Sequence, residues 1–293
     1  MLAFYRRSIE SHARLPMFGM ALALLFIVGA IALCTHSLLA FFSVEGLVIV
    51  VGGVIAVAYM SFEAEDVRSA LGAIAAMFRE RGRKPTDHLH RDMAEIIAWA
   101  SMVKEMGMRR LEWTLAKQGI ADPFVKYGLN MVVTGYAPED VRAMMETAAD
   151  ATFDRESVPV DVLQSMTSHA PAFGMIGTLI GMVAMLCNLD ANVAGIGSSL
   201  SVAFLSTLYG VVSARMVYMP AAAKLRQAVT RRRFRNQLIT EGMVMLVRGE
   251  KPMYIQDRLN SFLRPERHDY FDQFKFERRE PLLERPQLKV VGA

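Results

Sequence analysis

Two threonines in long apolar segments are the residues of this sequence with the clearest potential for chemistry. Thr178 lies near the middle of segment 170–189 and Thr207 near the middle of segment 198–219, and neither segment contains Asp or Glu. A threonine hydroxyl inside a helix commonly donates to the carbonyl oxygen one turn earlier, which is a structural role. Two hydroxyls at matched depth can instead line the path of a cation. Because no carboxylate lies at this depth, such a path needs a titrating carboxylate from another chain.

Both apolar segments have the length of a helix that crosses a membrane. A helix rises ~1.5 Å per residue, so about 20 residues cover the ~30 Å of a bilayer core. Only residues 190–197 separate the two segments, which predicts a hairpin with a tight turn. Small residues let helix backbones approach closely in lipid, where no hydrophobic effect drives helix association. The small residues here are Gly174, Gly177 and Gly181 on the first segment and Ser199, Ala203, Ser206 and Gly210 on the second.

The composition indicates a membrane protein with a substantial soluble part. The chain has 293 residues, of which 53% are hydrophobic, and its pI is about 9.1. Two further apolar runs, 17–39 and 46–62, predict two more spans. The short loops 35–45 and 190–197 contain no Lys or Arg. The positive-inside rule therefore predicts that both termini and the large loop lie in the cytoplasm.

The sequence thus predicts an all-α membrane protein with four transmembrane helices. The segments between and after the spans have helical periodicity and no strand pattern. The predicted organisation is an amphipathic cytoplasmic arm (1–16), spans one and two (17–62), a cytoplasmic helical domain (63–168), spans three and four (169–220), a cytoplasmic helical extension (221–263) and a flexible tail (264–293).

Caps and breakers predict the bounds of the helices outside the membrane. Asp122 followed by Pro123 has the form of an N-cap with proline at the first helical position. The expected helices are 64–81, one from Thr86 or Asp87 to Gly119, 124–135, one from Pro138 through Pro159 into span three, one that continues span four over 221–246, and 254–263.

The apolar hairpin resembles the last two membrane helices of the MotA/TolQ/ExbB family. The resemblance rests on APAFGMIGTLIGMV (170–183) and LSTLYGVVSARMVYMPAAAKL (205–225). The proline opening the third span, the Gly-Thr pair, the threonine-glycine spacing on the fourth span and the proline ending it fall in family order. The flagellar-stator (MotA/PomA) branch fits best, and EGMVMLVRGEKPMYIQDRLNSFL (241–263) resembles the stator tail.

The resemblance implies roles for residues of spans three and four. It places the ion path at Thr178 and Thr207, with Gly177 and Gly210 beside them. It also marks two prolines as hinges, because a proline removes one helical hydrogen bond and kinks the helix; alternatively, each marks only the boundary between helix and membrane. The hinge residues are Pro171 and Pro220. Arg215 departs from the family pattern, in which a neutral polar residue is more common.

The resemblance also implies a rotor-facing charged surface in the large loop. Lys104 and Glu112 match the family's rotor-facing positions, and Arg109 lies between them. Lys104 and Glu112 are eight residues apart, about two helical turns, so we expect both to face one side of a single helix. The alternative is an ordinary solvated helix face.

The function implied by the resemblance is that of an ion-conducting stator subunit of a flagellar-type rotary motor in the bacterial inner membrane. The subunit is expected to form a homopentamer around a MotB-like partner whose single span carries an aspartate, and to pass torque to a FliG-like rotor protein. The transported ion is H⁺ or Na⁺, with Thr178 favouring Na⁺ without requiring it, and no cofactor is expected. The alternatives are a TolQ/ExbB-like energiser of an outer-membrane process and a static membrane scaffold. The position of the large soluble part, between spans two and three, favours the stator.

Residue patterns give no support for an enzyme, a metal site or a nucleic-acid site. His169 has no nucleophile beside it, and His88 and His90 lack a third metal ligand at suitable spacing. The arginine run 231–233 has no aromatic platform nearby and fits contact with anionic lipid headgroups. We therefore expect no catalytic residue and no resident metal.

Overall fold

The computed structural model describes residues 41–79, 87–118, 120–187 and 193–263, together with 22, 25–26, 28–29 and 31–33. All regular structure in these residues is helical. The helices with described bounds are α1 (Val44–Ser61), α2 (Ala64–Arg79), α3 (Asp87–Met106), α4 (Met108–Gln118), α5 (Pro123–Thr134), α6 (Pro138–Cys187), α7 (Val193–Ser213), α8 (Met219–Val247) and α9 (Pro252–Asn260). Within α1, Val48–Gly52 forms a π-turn, and a second π-turn, Ala214–Tyr218, joins α7 to α8.

Three of the described helices are long and apolar enough to cross a membrane. They are α1, α6 and the continuous helix Ile196–Val247, which contains most of α7, the second π-turn and α8. These helices contain most of the predicted spans two (46–62) and three (170–189) and all of span four (198–219). The predicted span one, 17–39, lies largely outside the described residues. The predicted arm 1–16 and tail 264–293 lie wholly outside them.

Several helix bounds follow the predicted caps and breakers. Asp122 Oδ1 accepts from the backbone N–H of Phe124 at 2.9 Å, Pro123 opens α5, and Gly135 ends it in a left-handed conformation with φ 84°. The predicted continuity of α6 through Pro159 is confirmed. So is the continuation of span four beyond Pro220 as α8.

Three other predicted bounds differ from the structure. α7 begins at Val193, so the predicted turn 190–197 is partly helical. The last helix starts at Pro252 rather than at residue 254, because proline fits the first helical turn, and it ends at Asn260 rather than at 263. Helix α2 is described only as far as Arg79.

The predicted single helix from 87 to 119 is wrong. Gly107 has φ 81°, a left-handed conformation that ends α3 at Met106, and α4 starts at Met108. Lys104 therefore lies in the last turn of α3 and Glu112 lies in α4. The expectation that these two residues share one face of a single helix is consequently also wrong.

The chain divides into two compact units. The first, called here the membrane unit, comprises residues 1–87 and 147–235. Its core packs α1 and α2 against the middle of α6 and the junction of α7 with α8. The buried side chains are Val54, Ala58, Val67, Ala70, Met77, Val162, Leu163, Met166, Ala170, Ala214, Tyr218, Ala221 and Ala222.

The second unit comprises residues 88–146 and 236–293. Its core combines α3, α4, α5 and α9 with the first residues of α6 and the last residues of α8. The buried side chains include Met93, Ile96, Ala100, Leu111, Val125, Leu129, Val141, Met145, Leu238, Ile239, Met243, Ile255 and Leu259. The boundaries of the two units, near residues 87, 146 and 235, fall inside the predicted ranges 63–168 and 221–263. Helix α2 and residues 147–168 belong to the membrane unit because they pack with the span-forming helices.

Candidate functional site

The two helices of the apolar hairpin touch through their backbones at glycines. A Cβ atom built on Gly181 would lie 2.7 Å from the backbone nitrogen of Ala203, and one on Gly210 would lie 2.6 Å from the carbonyl oxygen of Ala170. Backbone atoms cannot move aside as a flexible side chain can. The close packing expected from the small residues is therefore present where α6 meets α7.

Thr178 and Thr207 meet across this contact. Their Oγ1 atoms are 2.5 Å apart, so one hydroxyl donates to the other. Thr178 Oγ1 also lies 3.1 Å from two carbonyl oxygens, that of Gly174 one turn earlier on its own helix and that of Ala203 on the facing helix. Each hydroxyl carries one proton, so these contacts are alternatives that a reorienting hydroxyl can exchange. The structure thus contains both the contact of Thr178 with the carbonyl oxygen one turn earlier on its own helix and the pairing of Thr178 with Thr207 across the two helices.

Ser206 is a third hydroxyl of this cluster that the sequence analysis treated only as a packing residue. Its Oγ lies 2.9 Å from the carbonyl oxygen of Ala203 and 3.3 Å from that of Gly174. Thr207 Oγ1 reaches the same Gly174 oxygen at 3.3 Å. Three hydroxyls therefore surround two carbonyl oxygens between the helices. The adjacency of Ser206 to Thr207 was the only signal in the sequence.

The hydroxyls differ in exposure. Ser206 is fully buried, whereas Thr178 and Thr207 are half-buried. Helix α1 covers the buried side, where a Cβ on Gly46 would lie 3.4 Å from the backbone nitrogen of Ser206. The threonine pair consequently keeps an open side, at which a further chain could bring a charged group.

A tyrosine fixes α1 against α7 and was not foreseen from the sequence. The backbone N–H of Ser43 donates to Tyr209 Oη at 2.8 Å, and this hydroxyl donates to the carbonyl oxygen of Phe41 at 2.6 Å. Both contacts satisfy backbone groups just before α1 that a membrane would otherwise leave unpaired. Tyr209 lies two residues from Thr207, so the same turn of α7 serves the hydroxyl pair and this anchor.

The two prolines lie inside continuous helices. Pro171 is internal to α6, and Pro220 follows the π-turn Ala214–Tyr218 by two residues. A π-turn is a common accommodation of a local insertion in a helix and is frequent at functional sites. Arg215 lies in this π-turn, is exposed, and places Nη1 3.6 Å from Met219 Sδ. Neither proline ends a helix, which leaves each helix continuous through its predicted hinge.

Lys104, Arg109 and Glu112 are exposed but belong to two different helices. Lys104 lies before the break at Gly107, and Arg109 and Glu112 lie after it on α4. Leu111 is fully buried and fixes α4 to the core of the second unit, so Arg109 and Glu112 point outward. The guanidinium of Arg110 lies over the ring of Trp113, 4.6 Å from its centroid, a contact that the sequence analysis did not identify.

Comparisons with known proteins agree on one family of membrane proteins. Residues 116–238 match the MotA/TolQ/ExbB proton channel family. The chain is 32% identical to Chemotaxis protein PomA of Vibrio alginolyticus over 76% of this chain and 85% of PomA. It is 39% identical to Motility protein A of Borreliella burgdorferi, over 50% of this chain and 56% of that protein. The solved structure of C. jejuni MotAB has the same fold, with a TM-score of 0.75 at 22% identity, covering 86% of this chain and 96% of the matched chain.

Proposed function

We propose that this chain, which belongs to the MotA/TolQ/ExbB proton channel family and to its flagellar-stator branch, is the ion-conducting subunit of a flagellar-type rotary motor. The observation that carries the proposal is the half-buried pair of Thr178 and Thr207 hydroxyls in a glycine-packed hairpin whose two spans contain no carboxylate. In the proposed complex, the open side of the threonine pair faces the aspartate of a MotB-like, single-span partner.

The proposed assembly follows from the family and from the charge distribution of the sequence. Four spans place both termini and the second unit in the cytoplasm, with the chain in the bacterial inner membrane. Five copies surround a dimer of the partner, so that each hairpin can meet an aspartate in turn. Lipid surrounds the ring, and the exposed Lys104, Arg109 and Glu112 face a FliG-like rotor protein.

The proposed mechanism uses oxygen atoms of the hairpin and the charge of the partner. The threonine hydroxyls and the carbonyl oxygens of Gly174 and Ala203 replace part of the shell of water around an arriving Na⁺, whereas H⁺ would travel along a chain of water beside them. When the ion reaches the partner's aspartate, the carboxylate is neutralised. A charge that is costly inside the membrane is thereby removed. The helices then relax at Pro171 and Pro220, and the ring advances. The chain itself needs no cofactor and performs no enzymatic step.

Deletion and re-expression in the source bacterium test the proposal. We expect deletion of the gene to leave flagella assembled but not rotating, and re-expression to restore rotation of tethered cells. Re-expression beside a partner whose span carries Asn in place of Asp is the matched control and should restore membrane assembly without rotation. A static scaffold predicts the opposite pattern, in which deletion leaves rotation unchanged or prevents flagella from forming.

A further inference from the structure

Two oppositely charged patches face each other within the membrane unit, away from the hydroxyl pair. Helix α6 provides Asp150, Phe153 and Glu156, which recur every three residues and so lie along one side of the helix. Helix α8 provides Arg232 and Arg233. All five residues belong to the membrane unit, close to the points where both helices pass into the second unit.

Arg233 is held by two kinds of contact at once. Its Nη2 lies 2.9 Å from Asp150 Oδ1, and its guanidinium carbon lies 4.5 Å from the centroid of the Phe153 ring. Its Nε is buried and makes no hydrogen bond to any described residue. A guanidinium can pack over an aromatic ring and bind a carboxylate at the same time, a combination for which arginine is better suited than lysine.

Arg232 makes a second ion pair beside the first. It binds Glu156 Oε1, and the Glu156 side chain is the less exposed partner, at 29% against 61% for Arg232. The two pairs therefore join α6 and α8 at points six residues apart on α6. The contacts are six residues apart on α6 and come from adjacent arginines of α8, so together they restrain sliding and rotation of α8 against α6 more than either contact alone.

The position of these pairs connects them to the hairpin. Pro171 follows Glu156 by fifteen residues and Pro220 precedes Arg232 by twelve, distances of roughly 20 Å along an α-helix. No helix end interrupts either stretch, and α6 stays helical through Pro159, which lies between Glu156 and Pro171. A displacement that starts at either proline is thus carried along a continuous helix to the paired charges, and residues 138–146 of α6 and 236–247 of α8 continue into the second unit.

We infer that Asp150–Arg233 and Glu156–Arg232 are positioning pairs that hold α6 and α8 in register, so that movement of the hairpin reaches the second unit through both helices together. This inference rests on the proposed function. The pairs touch neither the ion nor the rotor. Their effect is on torque delivered per ion, rather than on ion flow or on rotor binding.

Charge reversal with rescue tests the inference in motile cells that carry the full complex. We expect Asp150→Arg and Arg233→Asp each to lower torque several-fold per incorporated stator unit, counted by a fluorescent tag, while ion flux of the purified complex stays unchanged. The double variant, which restores an ion pair with its signs exchanged, should recover most of the torque. A purely structural role would instead lower the number of units and leave torque per unit unchanged.

Neighbouring charges provide matched controls. Asp154 on α6 and Arg231 on α8 are exposed and belong to neither pair. Asp154→Arg and Arg231→Asp make the same charge changes and should leave torque per unit normal. Arg233→Lys, a milder change that keeps the charge but loses the guanidinium contact with the Phe153 ring, should give an intermediate loss of torque and is informative if a reversal variant does not accumulate.

The outcomes separate this inference from the proposed function. Normal torque per unit in both single reversals, equal losses in the controls, or a double variant no better than the singles would each overturn the positioning role. A wild-type complex that conducts no ions would instead overturn the proposed function, before any of these variants is compared.

Discussion

The hydroxyls of Thr178, Ser206 and Thr207 share two backbone carbonyl oxygens, those of Gly174 and Ala203, between α6 and α7. Thr178 and Thr207 stand out in sequence because each is an isolated hydroxyl in an apolar run at matched depth. Ser206 carries the same chemistry but also fits the pattern of small packing residues, so its side chain could not be assigned without the facing helix. The Ser43–Tyr209 contact joins residues 166 positions apart, and no local pattern encodes it.

Removing a hydroxyl while keeping the side-chain shape tests the threonine pair. We expect Thr178→Val and Thr207→Val to lower ion flux about ten- to a hundredfold each, since a hydrogen bond to a charged group contributes about 1.5–3 kcal/mol. Thr178→Ser should retain most of the flux. Ion flux of the reconstituted complex is the measurement. Thr167→Val is the matched control, because the Thr167 hydroxyl donates at 2.8 Å to the Leu163 carbonyl oxygen one turn earlier on α6; equal losses in the control would remove the special role of the pair.

The coupling ion can be identified from motor speed. A hydroxyl together with carbonyl oxygens can replace part of the shell of a hydrated cation, whereas a proton needs only a chain of water. We therefore expect rotation at fixed membrane potential to slow when external Na⁺ is replaced by K⁺, and Thr178→Ala to weaken this dependence. Full speed of the wild type in sodium-free medium would rule out Na⁺ and leave Thr178 to order water or pack the helices.

Charge reversals on the second unit test the rotor-facing residues. Lys104→Glu and Glu112→Lys should each reduce rotation while membrane assembly and ion flux persist, because exposed charges contribute only ~0–1 kcal/mol to stability. Swimming speed and torque of tethered cells are the measurements. Lys126→Glu, at an exposed position on α5 of the same unit, is the control and should swim normally. If all three variants, and the double reversal of Lys104 and Glu112, swim normally, these charges belong to an ordinary solvated surface.

At the scale of helices, local signals predicted starts and stops better than interruptions. The correctly predicted helix ends lie at residue types that favour a helix cap over other backbone conformations. They are the N-cap at Asp122, the end of α5 at Gly135 and the end of α8 near Gly249. The break at Gly107 was missed because its neighbours continue the same apolar stripe on both sides, with Met93 and Leu111 both buried. An isolated glycine in such a pattern is compatible with an intact helix or with a cap, and only the left-handed backbone decides.

A methyl group added at the hairpin contact tests how tightly α6 and α7 are packed. Gly210→Ala places a Cβ against the backbone of Ala170, so we expect a loss of about 1–3 kcal/mol, seen as a lower melting temperature of the purified complex. Gly72→Ala on α2 is the control, since nothing lies within 4 Å of its Cβ position. Alanine should stabilise that helix by up to ~1 kcal/mol. Equal melting temperatures for the two variants would contradict close backbone contact in the hairpin.

At the scale of the whole molecule, the hydropathy pattern predicted the helical membrane protein, whereas its two compact units follow from contacts between distant parts of the chain. Apolar runs of about 20 residues have few alternatives to a span, which is why α1, α6 and the helix containing α7 and α8 were anticipated. The division at residues 87, 146 and 235 depends on side chains that meet across long sequence separations. Such contacts follow from the fold and not from the composition of any single segment.

At the same scale, the composition of the two hairpin spans is the physical basis for the proposed partner. Segments 170–189 and 198–219 supply hydroxyls and carbonyl oxygens but no carboxylate, so an ion can be guided there without being held by an Asp or Glu of the same helices. Under the proposed function, conduction is therefore expected only of the complex. This dependence would distinguish a stator subunit from a self-contained channel.

The most direct test is ion flux into liposomes that contain the purified chain alone, the chain with its single-span partner, or the chain with a partner whose membrane Asp is replaced by Asn. We expect flux only for the chain with the unaltered partner. Equal flux from the chain alone, at the same protein density, would contradict the proposed role of the partner, because the hairpin would then conduct without the partner's carboxylate.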